Sequence, residues 1–220
     1  MDYRLSASPQ SAPRCEAGCG NGAKNPATAQ HPDHIKDVRS AIGFLAKNKA
    51  MEKYILIGHS AGGTLAFQLL MGEGAQGGQA ATVPLPSAIV GTAGIYDIAG
   101  LVNDFQDPFY TNFTTQAFGC DRKAWDVASP AKFGGNFKQA WPGDNKVVLA
   151  RSRDDQLVNL AQLTAMEKRL SQDGIKATVV TDLTGDHDAV WREGSQLVGL
   201  LEKTVGLLDN KQKREAGPEP

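Results

Sequence analysis

The feature that most constrains the fold is a serine between glycines, Gly58-His59-Ser60-Ala61-Gly62. A short apolar run at residues 54–57 precedes it and predicts a strand buried on both faces of a parallel sheet. Apolar residues at helical spacing follow it. Small residues in such a strand–turn–helix let the backbone make a strained turn that lifts the serine hydroxyl clear of the sheet. Those expected to supply the room are Gly58, Ala61, Gly62 and Gly63.

Predicted strands and helices alternate along the rest of the chain. A helix with one buried face is predicted to begin near Asp33. Further strands are predicted at 88–90, 147–150 and 178–180, and further helices at 160–170 and 197–208. This alternation indicates parallel βαβ units, which bind ligands at the carboxyl ends of their strands. The expected fold class is α/β, a mostly parallel sheet with helices on both faces.

The predicted domain organisation is a single domain over residues 1–209 with a charged, disordered tail at 210–220. Residues 6–32 lack apolar periodicity and predict a surface loop. The region from about 97 to 143 contains most of the phenylalanines and has weak strand signals. We expect that region to form a small cap inserted over the sheet.

Composition excludes several classes of function. The 23 basic and 24 acidic residues are mixed along the chain and give a net charge of -1, so no nucleic-acid partner is expected. No apolar run is long enough to cross a bilayer and no leader pattern is visible, so we predict a cytoplasmic protein without a membrane partner. Cys15, Cys19 and Cys120 are an odd count and are expected to be reduced.

Ser60 needs a base to remove its proton, and in a fold of this kind the chain order is Ser, acid, His. His187 lies in Gly185-Asp186-His187-Asp188, just after the last predicted strand, where a loop can return it to the serine. The other histidines are His31 and His34, which precede the serine, and His59, which is adjacent to it and expected to point elsewhere. His187 is therefore the predicted base.

The acid is expected in the loop after the strand at 147–150. Asp155 is the first choice, because the apolar Val158 three residues later is typical of this loop. Asp154 remains an alternative, and Asp97 is a third because some members of the fold place the acid earlier.

Together these residues predict acyl transfer: His187 deprotonates Ser60, Asp155 orients the imidazole, and Ser60 attacks a carbonyl carbon. No metal or organic cofactor is required. Cys15 and Cys19 lack two further ligands at metal-site spacing, so no metal site is predicted. The Ala61 N–H is the expected first oxyanion donor. A second donor from a His-Gly-Gly loop is not found, because no histidine is followed by two glycines.

The sequence resembles kynurenine formamidase (arylformamidase) of the α/β-hydrolase superfamily, in particular the fungal branch. The segments that carry the resemblance are Asp2-Tyr3-Arg4-Leu5-Ser6, His31-Pro32-Asp33-His34, Gly94-Ile95-Tyr96-Asp97, Trp125 with Ser129-Pro130, residues 152–158, and Gly185-Asp186-His187-Asp188 with Val190-Trp191. The positions of Ser60, Asp155 and His187 match the family's triad.

This resemblance implies hydrolysis of N-formyl-L-kynurenine to L-kynurenine and formate, a step of tryptophan degradation toward NAD, and a homodimer. The small-molecule substrate would sit in a tight acyl pocket under an aromatic cap. His59, Phe109, Tyr110 and Trp191 are the pocket candidates, with Phe105 as a further cap residue.

The resemblance also sets an expectation about the start of the chain. Family members carry several strands and a His-Gly-Gly-x-Trp oxyanion loop before the segment that begins here at Asp2. We therefore expect about the first quarter of the usual domain to be absent. Losing one oxyanion donor would cost about 3–4 kcal/mol of transition-state stabilisation. The alternatives are a general carboxylesterase with the same triad and an inactive remnant.

Overall fold

A computed structural model of the protein describes residues 29–48, 51, 53–72 and 83–215, with the backbone alone for 210–215. The strands are β1 (Ile55–His59), β2 (Ala88–Thr92), β3 (Lys146–Ser152) and β4 (Ala177–Leu183). The helices are α1 (Asp33–Lys47), α2 (Ala61–Gln68), α3 (Ile98–Phe105), α4 (Pro108–Phe118), α5 (Arg122–Ala128), α6 (Phe137–Ala140), α7 (Leu160–Gln172), α8 (Ala189–Glu193) and α9 (Ser195–Glu215), with a 3₁₀ turn at Pro130–Lys132. The segment from Asp2 to Ser6, the loop up to residue 28, Cys15 and Cys19 lie outside the described residues.

The described strands form one parallel sheet in the order β1-β2-β3-β4. In register, Gly58 pairs with Gly91, and Gly91 in turn pairs with Leu149. Each strand is followed by helical structure, which confirms the predicted α/β class. Because the strands are parallel, the loops after all four carboxyl ends open at one edge of the sheet.

Helices cover both faces of this sheet. On one face, Phe67 of α2 and Met166 of α7 pack with Ile89 and Leu149 in a buried cluster. On the other face, Leu200 of α9 belongs to a buried cluster with sheet residues that include Val90, Val148 and Val180. Successive strand residues thus face opposite sides of the sheet and pack against the helices there. This packing fixes the ends of the strands, from which the loops begin.

Strand β1 is less buried than the sequence predicts. Every residue of β2 is buried, whereas in β1 only Gly58 is fully buried and Ile55, Leu56 and Ile57 remain partly exposed. The expectation of burial on both faces is wrong for β1. The physical reason is position: within the described sheet β1 has a single neighbour, β2, whereas β2 lies between two strands.

The region between β2 and β3 is helical, from α3 to α6. Helices α3, α4 and α5 share a buried apolar cluster that includes Leu101, Tyr110 and Trp125 and reaches Val158 beyond β3. The cap boundaries at about 97 and 143 remain a prediction.

The chain end differs from expectation, since α9 continues to Glu215, beyond the predicted limit at 209. Lysine and arginine are good helix formers and are favourable in a last helical turn, which explains the extension.

Cys120 is disulfide-bonded, so the expectation of reduced thiols is wrong for this residue. Chain length makes a disulfide unnecessary for stability but does not prevent one from forming. Across the described part of the chain, no helix is both long enough and apolar enough to cross a membrane.

Candidate active site

Ser60 stands in a strained turn between β1 and α2, which we call the nucleophile turn (residues 58–63). Its backbone has φ 53° and ψ −121°, a left-handed conformation that is uncommon for a residue with a side chain. The turn is held by the Ser60 N–H, which donates to Thr92 O at 2.9 Å, and by Ser60 O, which accepts from Gly63 N at 2.9 Å. The strain predicted for Ser60 is present.

Of the three glycines expected to supply room, Gly58 and Gly63 do so and Gly62 does not. A Cβ on Gly58 would collide with the Gly62 carbonyl and lie 2.7 Å from Gly63 N. A Cβ on Gly63 would lie 2.9 Å from Gly94 Cα. No atom lies within 4 Å of the corresponding point on Gly62, so a methyl group would fit there. The close approach is therefore between the start of α2, the end of β1 and the loop after β2.

Asp155 and His187 meet in the loops that follow β3 and β4. His187 Nδ1 lies 2.9 Å from Asp155 Oδ2 and 3.1 Å from Oδ1, and both side chains are buried. Because an ionised carboxylate only accepts hydrogen bonds, Nδ1 donates and Nε2 carries the free lone pair. A ring held in this tautomer can take a proton at Nε2.

Hydrogen bonds to backbone groups hold the loop that carries the acid, residues 153–159, which we call the acid loop. Asp155 Oδ1 accepts from Leu157 N and from Val158 N, each at 2.9 Å. Arg151 donates to Val158 O at 2.7 Å and to Asp155 O at 2.8 Å. The carboxylate is thus fixed in position before any substrate binds.

These bonds set the protonation state of Asp155. Burial raises the pKa of this carboxyl, but hydrogen bonds from His187, Val158 N and Leu157 N favour the charged form more strongly, and the net pKa lies below its ordinary value. Asp155 is therefore ionised at neutral pH and can stabilise a protonated His187.

The two alternative acids have other partners. Asp154 Oδ2 accepts from Gly185 N at 3.1 Å, so it braces the base loop instead of contacting the imidazole. Asp97 caps α3 through Gly100 N at 2.8 Å and forms an ion pair with Lys132 at 3.0 Å. Of the three carboxylates, Asp155 is the one bonded to His187.

The loop that carries the histidine, residues 184–188, is attached to the acid loop by three further contacts. Ser152 Oγ donates to Gly185 O at 2.6 Å, Asp154 accepts from Gly185 N, and His187 N donates to Gln156 Oε1 at 3.4 Å. Sequence reasoning missed Ser152 and Gln156 as positioning residues. The available signal was a polar side chain at the end of an otherwise apolar strand, Ser152.

His59 connects the base loop to the nucleophile turn. Its Nε2 lies 2.8 Å from the carbonyl oxygen of His187, and the two rings lie 4.6 Å apart. Since a carbonyl only accepts, Nε2 of His59 is protonated and the ring is a donor. The side chain thus turns toward the predicted base, where the sequence analysis expects it to point elsewhere. Burial is the main cause that lowers the pKa of His59, so the ring is neutral at neutral pH.

Among the described residues, no hydrogen bond joins Ser60 Oγ to His187. Catalytic hydrogen bonds are often long before substrate binds and tighten in the complex. Ala61 begins α2, so its N–H has no carbonyl four residues earlier in the helix to bind and is available to an oxyanion.

The predicted pocket residues fall into two groups. Phe109 and Trp191 are 50% and 55% exposed. Tyr110 is 5% exposed and lies in the apolar cluster of α3, α4 and α5, where its ring stacks on Phe105 at 4.4 Å. Its hydroxyl donates to Leu157 O at 2.9 Å, which connects the cap to the acid loop. The sequence analysis names Tyr110 as a pocket candidate and misses this contact.

Comparisons with known proteins identify the family. The chain is 37% identical to a kynurenine formamidase-like hydrolase of Fusarium equiseti, over 98% of this chain and 72% of that protein. It is 31% identical to a kynurenine formamidase of Meyerozyma guilliermondii, over 80% of this chain and 67% of that protein. The chain belongs to the kynurenine formamidase family. A kynurenine formamidase of Aspergillus versicolor is 36% identical, and there the match spans 64% of its length.

Solved structures place this kynurenine formamidase family member in the α/β-hydrolase fold. An esterase B from Lactobacillus rhamnosis superposes with a TM-score of 0.65 at 15% identity, over 87% of this chain and 65% of that one. An acetyl ester-xyloside bifunctional hydrolase from Caldicellulosiruptor lactoaceticus gives 0.57 at 16% identity, over 80% and 67%. No protein-family model matches the sequence. The chain is therefore an α/β-type hydrolase.

Proposed function

We propose that this chain is a serine hydrolase that cleaves N-formyl-L-kynurenine to L-kynurenine and formate, a step in tryptophan degradation toward NAD. The observation that carries the proposal is the buried Asp155–His187 pair, which His59 attaches to the strained turn bearing Ser60. Membership of the kynurenine formamidase family supplies the substrate class.

In the proposed reaction, His187 Nε2 takes the proton of Ser60 as Oγ attacks the formyl carbon. Asp155 accepts from Nδ1 throughout and stabilises the imidazolium that forms. The imidazolium then protonates the aryl amine as the C–N bond breaks, which leaves a formyl ester on Ser60. A water deprotonated by His187 attacks that ester and releases formate.

Negative charge develops on the formyl oxygen in both tetrahedral intermediates. The Ala61 N–H at the start of α2 is the proposed donor to this oxygen, favoured by the positive end of the helix. The family's second donor comes from a His-Gly-Gly loop, and no such motif occurs in this sequence.

The proposed small-molecule substrate combines a minimal acyl group with an aryl amine. Phe109 and Trp191 are exposed and can receive the aromatic ring, since large apolar surface on a rim is buried when a ligand binds.

The substrate assignment is tested by steady-state assays of the purified chain on N-formyl-L-kynurenine and on p-nitrophenyl acetate. A higher kcat/KM for the formamide supports the formamidase. A higher value for the ester identifies a general carboxylesterase and overturns the substrate assignment.

The nucleophile is tested separately with a fluorophosphonate probe that reacts covalently with activated serines. We expect labelling of the parent and of Ser195→Ala, which removes an exposed serine at the start of α9, and no labelling of Ser60→Ala. A folded parent that the probe does not label is an inactive remnant, and this result overturns the proposal.

A further inference from the structure

The geometry points to a zinc-binding site formed by His59, His187 and Asp188. The metal ion would bind Nε2 of His187, the general base of the proposed triad, and so prevent it from accepting a proton. Each of these residues offers one ligand atom, and the three atoms lie within 4.8 Å of one another. Zinc binds imidazole nitrogen and carboxylate oxygen at about 2.0–2.1 Å, which places neighbouring tetrahedral ligands roughly 3.4 Å apart. Zinc binding would therefore draw the three ligand atoms closer together than they lie in the unliganded chain.

His187 is already arranged as a metal ligand. Its Nδ1 donates to the buried carboxylate of Asp155 at 2.9 Å, which leaves the Nε2 lone pair free. Histidines that bind zinc characteristically donate their other ring N–H to a carboxylate, which fixes the tautomer and raises the basicity of the ligating nitrogen. The same hydrogen bond between a carboxylate and a histidine that orients a catalytic base also orients a zinc ligand.

His59 and Asp188 complete the set. His59 donates from Nε2 to the His187 carbonyl, so its neutral ring has an unprotonated Nδ1. Asp188 Oδ1 accepts from Trp191 Nε1 at 3.2 Å, an outer contact that orients the carboxylate and leaves its second oxygen to a cation. Two neutral imidazoles and one carboxylate leave a fourth position for water, as in zinc sites with three protein ligands.

Zinc bound at this position is inhibitory, since His187 Nε2 cannot take the Ser60 proton while its lone pair is on the metal. The bound ion adds a regulatory input that the acyl-transfer reaction does not require. Its binding is measurable whether or not the chain hydrolyses a formamide.

The test is calorimetric titration of the tag-free, folded chain with ZnCl₂, using Asp188→Asn and His59→Gln as ligand variants. Glu193→Gln is the matched control, because it removes a nearby exposed carboxylate that is not in the set. We expect one saturable zinc per chain, weakened at least about tenfold by each ligand variant and unchanged by the control. Thermal unfolding of each variant confirms that it is folded.

Two further variants refine the result. Asp155→Asn should weaken zinc binding by about 10–100-fold through loss of the outer carboxylate. Trp191→Phe should weaken zinc binding less than Asp188→Asn does, because it removes the contact that orients the carboxylate but keeps the ligand itself. Absence of saturable binding in the parent overturns the site. An affinity that survives both Asp188→Asn and His59→Gln also overturns it and assigns the bound zinc to another part of the chain.

Discussion

The two sides of the candidate site are held in place by different forces. Side-chain hydrogen bonds hold the loops that carry Asp155 and His187. Arg151 donates to the backbone of the acid loop, and Ser152 donates to the backbone of the base loop. Ser60 is held by backbone geometry, a left-handed φ and glycines that allow chain segments to approach closely. The acid–base side should therefore respond to loss of polar groups, and the nucleophile side to added volume.

The largest expected effect is on the acid–base side. Asp155→Asn keeps the shape but loses the charge and favours the wrong imidazole tautomer, so we expect kcat on N-formyl-L-kynurenine to fall on the order of 10⁴-fold. Asp154→Asn is the matched control and should cost no more than a few-fold. Equal losses in the two variants would show that the acid is misassigned.

The same variant has a predicted pH signature. Because the pKa of Asp155 is lowered from 3.8 in the fold, its charged form stabilises the protein above pH 3.8, and this contribution is lost as the pH falls through the lower folded value. The difference in unfolding free energy between the parent and Asp155→Asn should thus be present at pH 7 and shrink below pH 3.8. A difference that is independent of pH would contradict an ionised Asp155.

On the nucleophile side, Gly58→Ala should destabilise the fold by about 3 kcal/mol or more, since the added methyl group meets backbone atoms that cannot move aside. Gly62→Ala has open space and sits in α2, so it should be neutral or stabilise by up to about 1 kcal/mol. Urea unfolding measures both. A Gly58→Ala variant as stable as Gly62→Ala would mean that the turn is looser than the structure indicates.

A smaller effect separates positioning from packing. Tyr110→Phe removes the hydrogen bond to Leu157 O and should cost about 0.5–1.5 kcal/mol of stability. Tyr54→Phe removes a similar bond, to Pro84 O at 2.7 Å, far from the acid loop. Only Tyr110→Phe should also lower kcat. If both leave kcat unchanged, the cap does not position Asp155.

The smallest effect is an expected gain. Tyr96 is buried and its hydroxyl has no hydrogen-bond partner in the described part of the chain. Tyr96→Phe removes that unpaired group and should raise the unfolding free energy by about 1 kcal/mol. Thermal and urea unfolding test this. A clear loss of stability would show that a buried water satisfies the hydroxyl.

The sequence was sufficient for the parts of the site that follow from chain order. Asp155 and His187 each follow a strand, and parallel strands bring their carboxyl ends together, so the contact between these two residues could be predicted. The partial exposure of β1 could not, because burial depends on which strands are neighbours. The Tyr110–Leu157 bond is equally invisible, since it depends on how α4 packs against a loop 47 positions away.

A local sequence rule also failed for His59, whose direction depends on the turn that follows it. Successive residues usually point in different directions, which suggested that His59 faces away from the site. The turn at Ser60 breaks that alternation, and His59 reaches the carbonyl of His187. Such rules describe regular strands and helices, and they fail most often at strained turns such as this one.

The strained backbone at Ser60 has a consequence for protein engineering. The backbone conformation at Ser60 is imposed by contacts with Thr92, Gly58 and Gly63. It does not depend on the serine side chain, so the residue can be exchanged without altering the turn. Ser60→Cys would exchange oxygen for sulfur on an unaltered scaffold. If Ser60 is the nucleophile, as proposed, the Ser60→Cys variant forms a thioester in place of the oxygen ester, on a backbone that the substitution leaves unaltered.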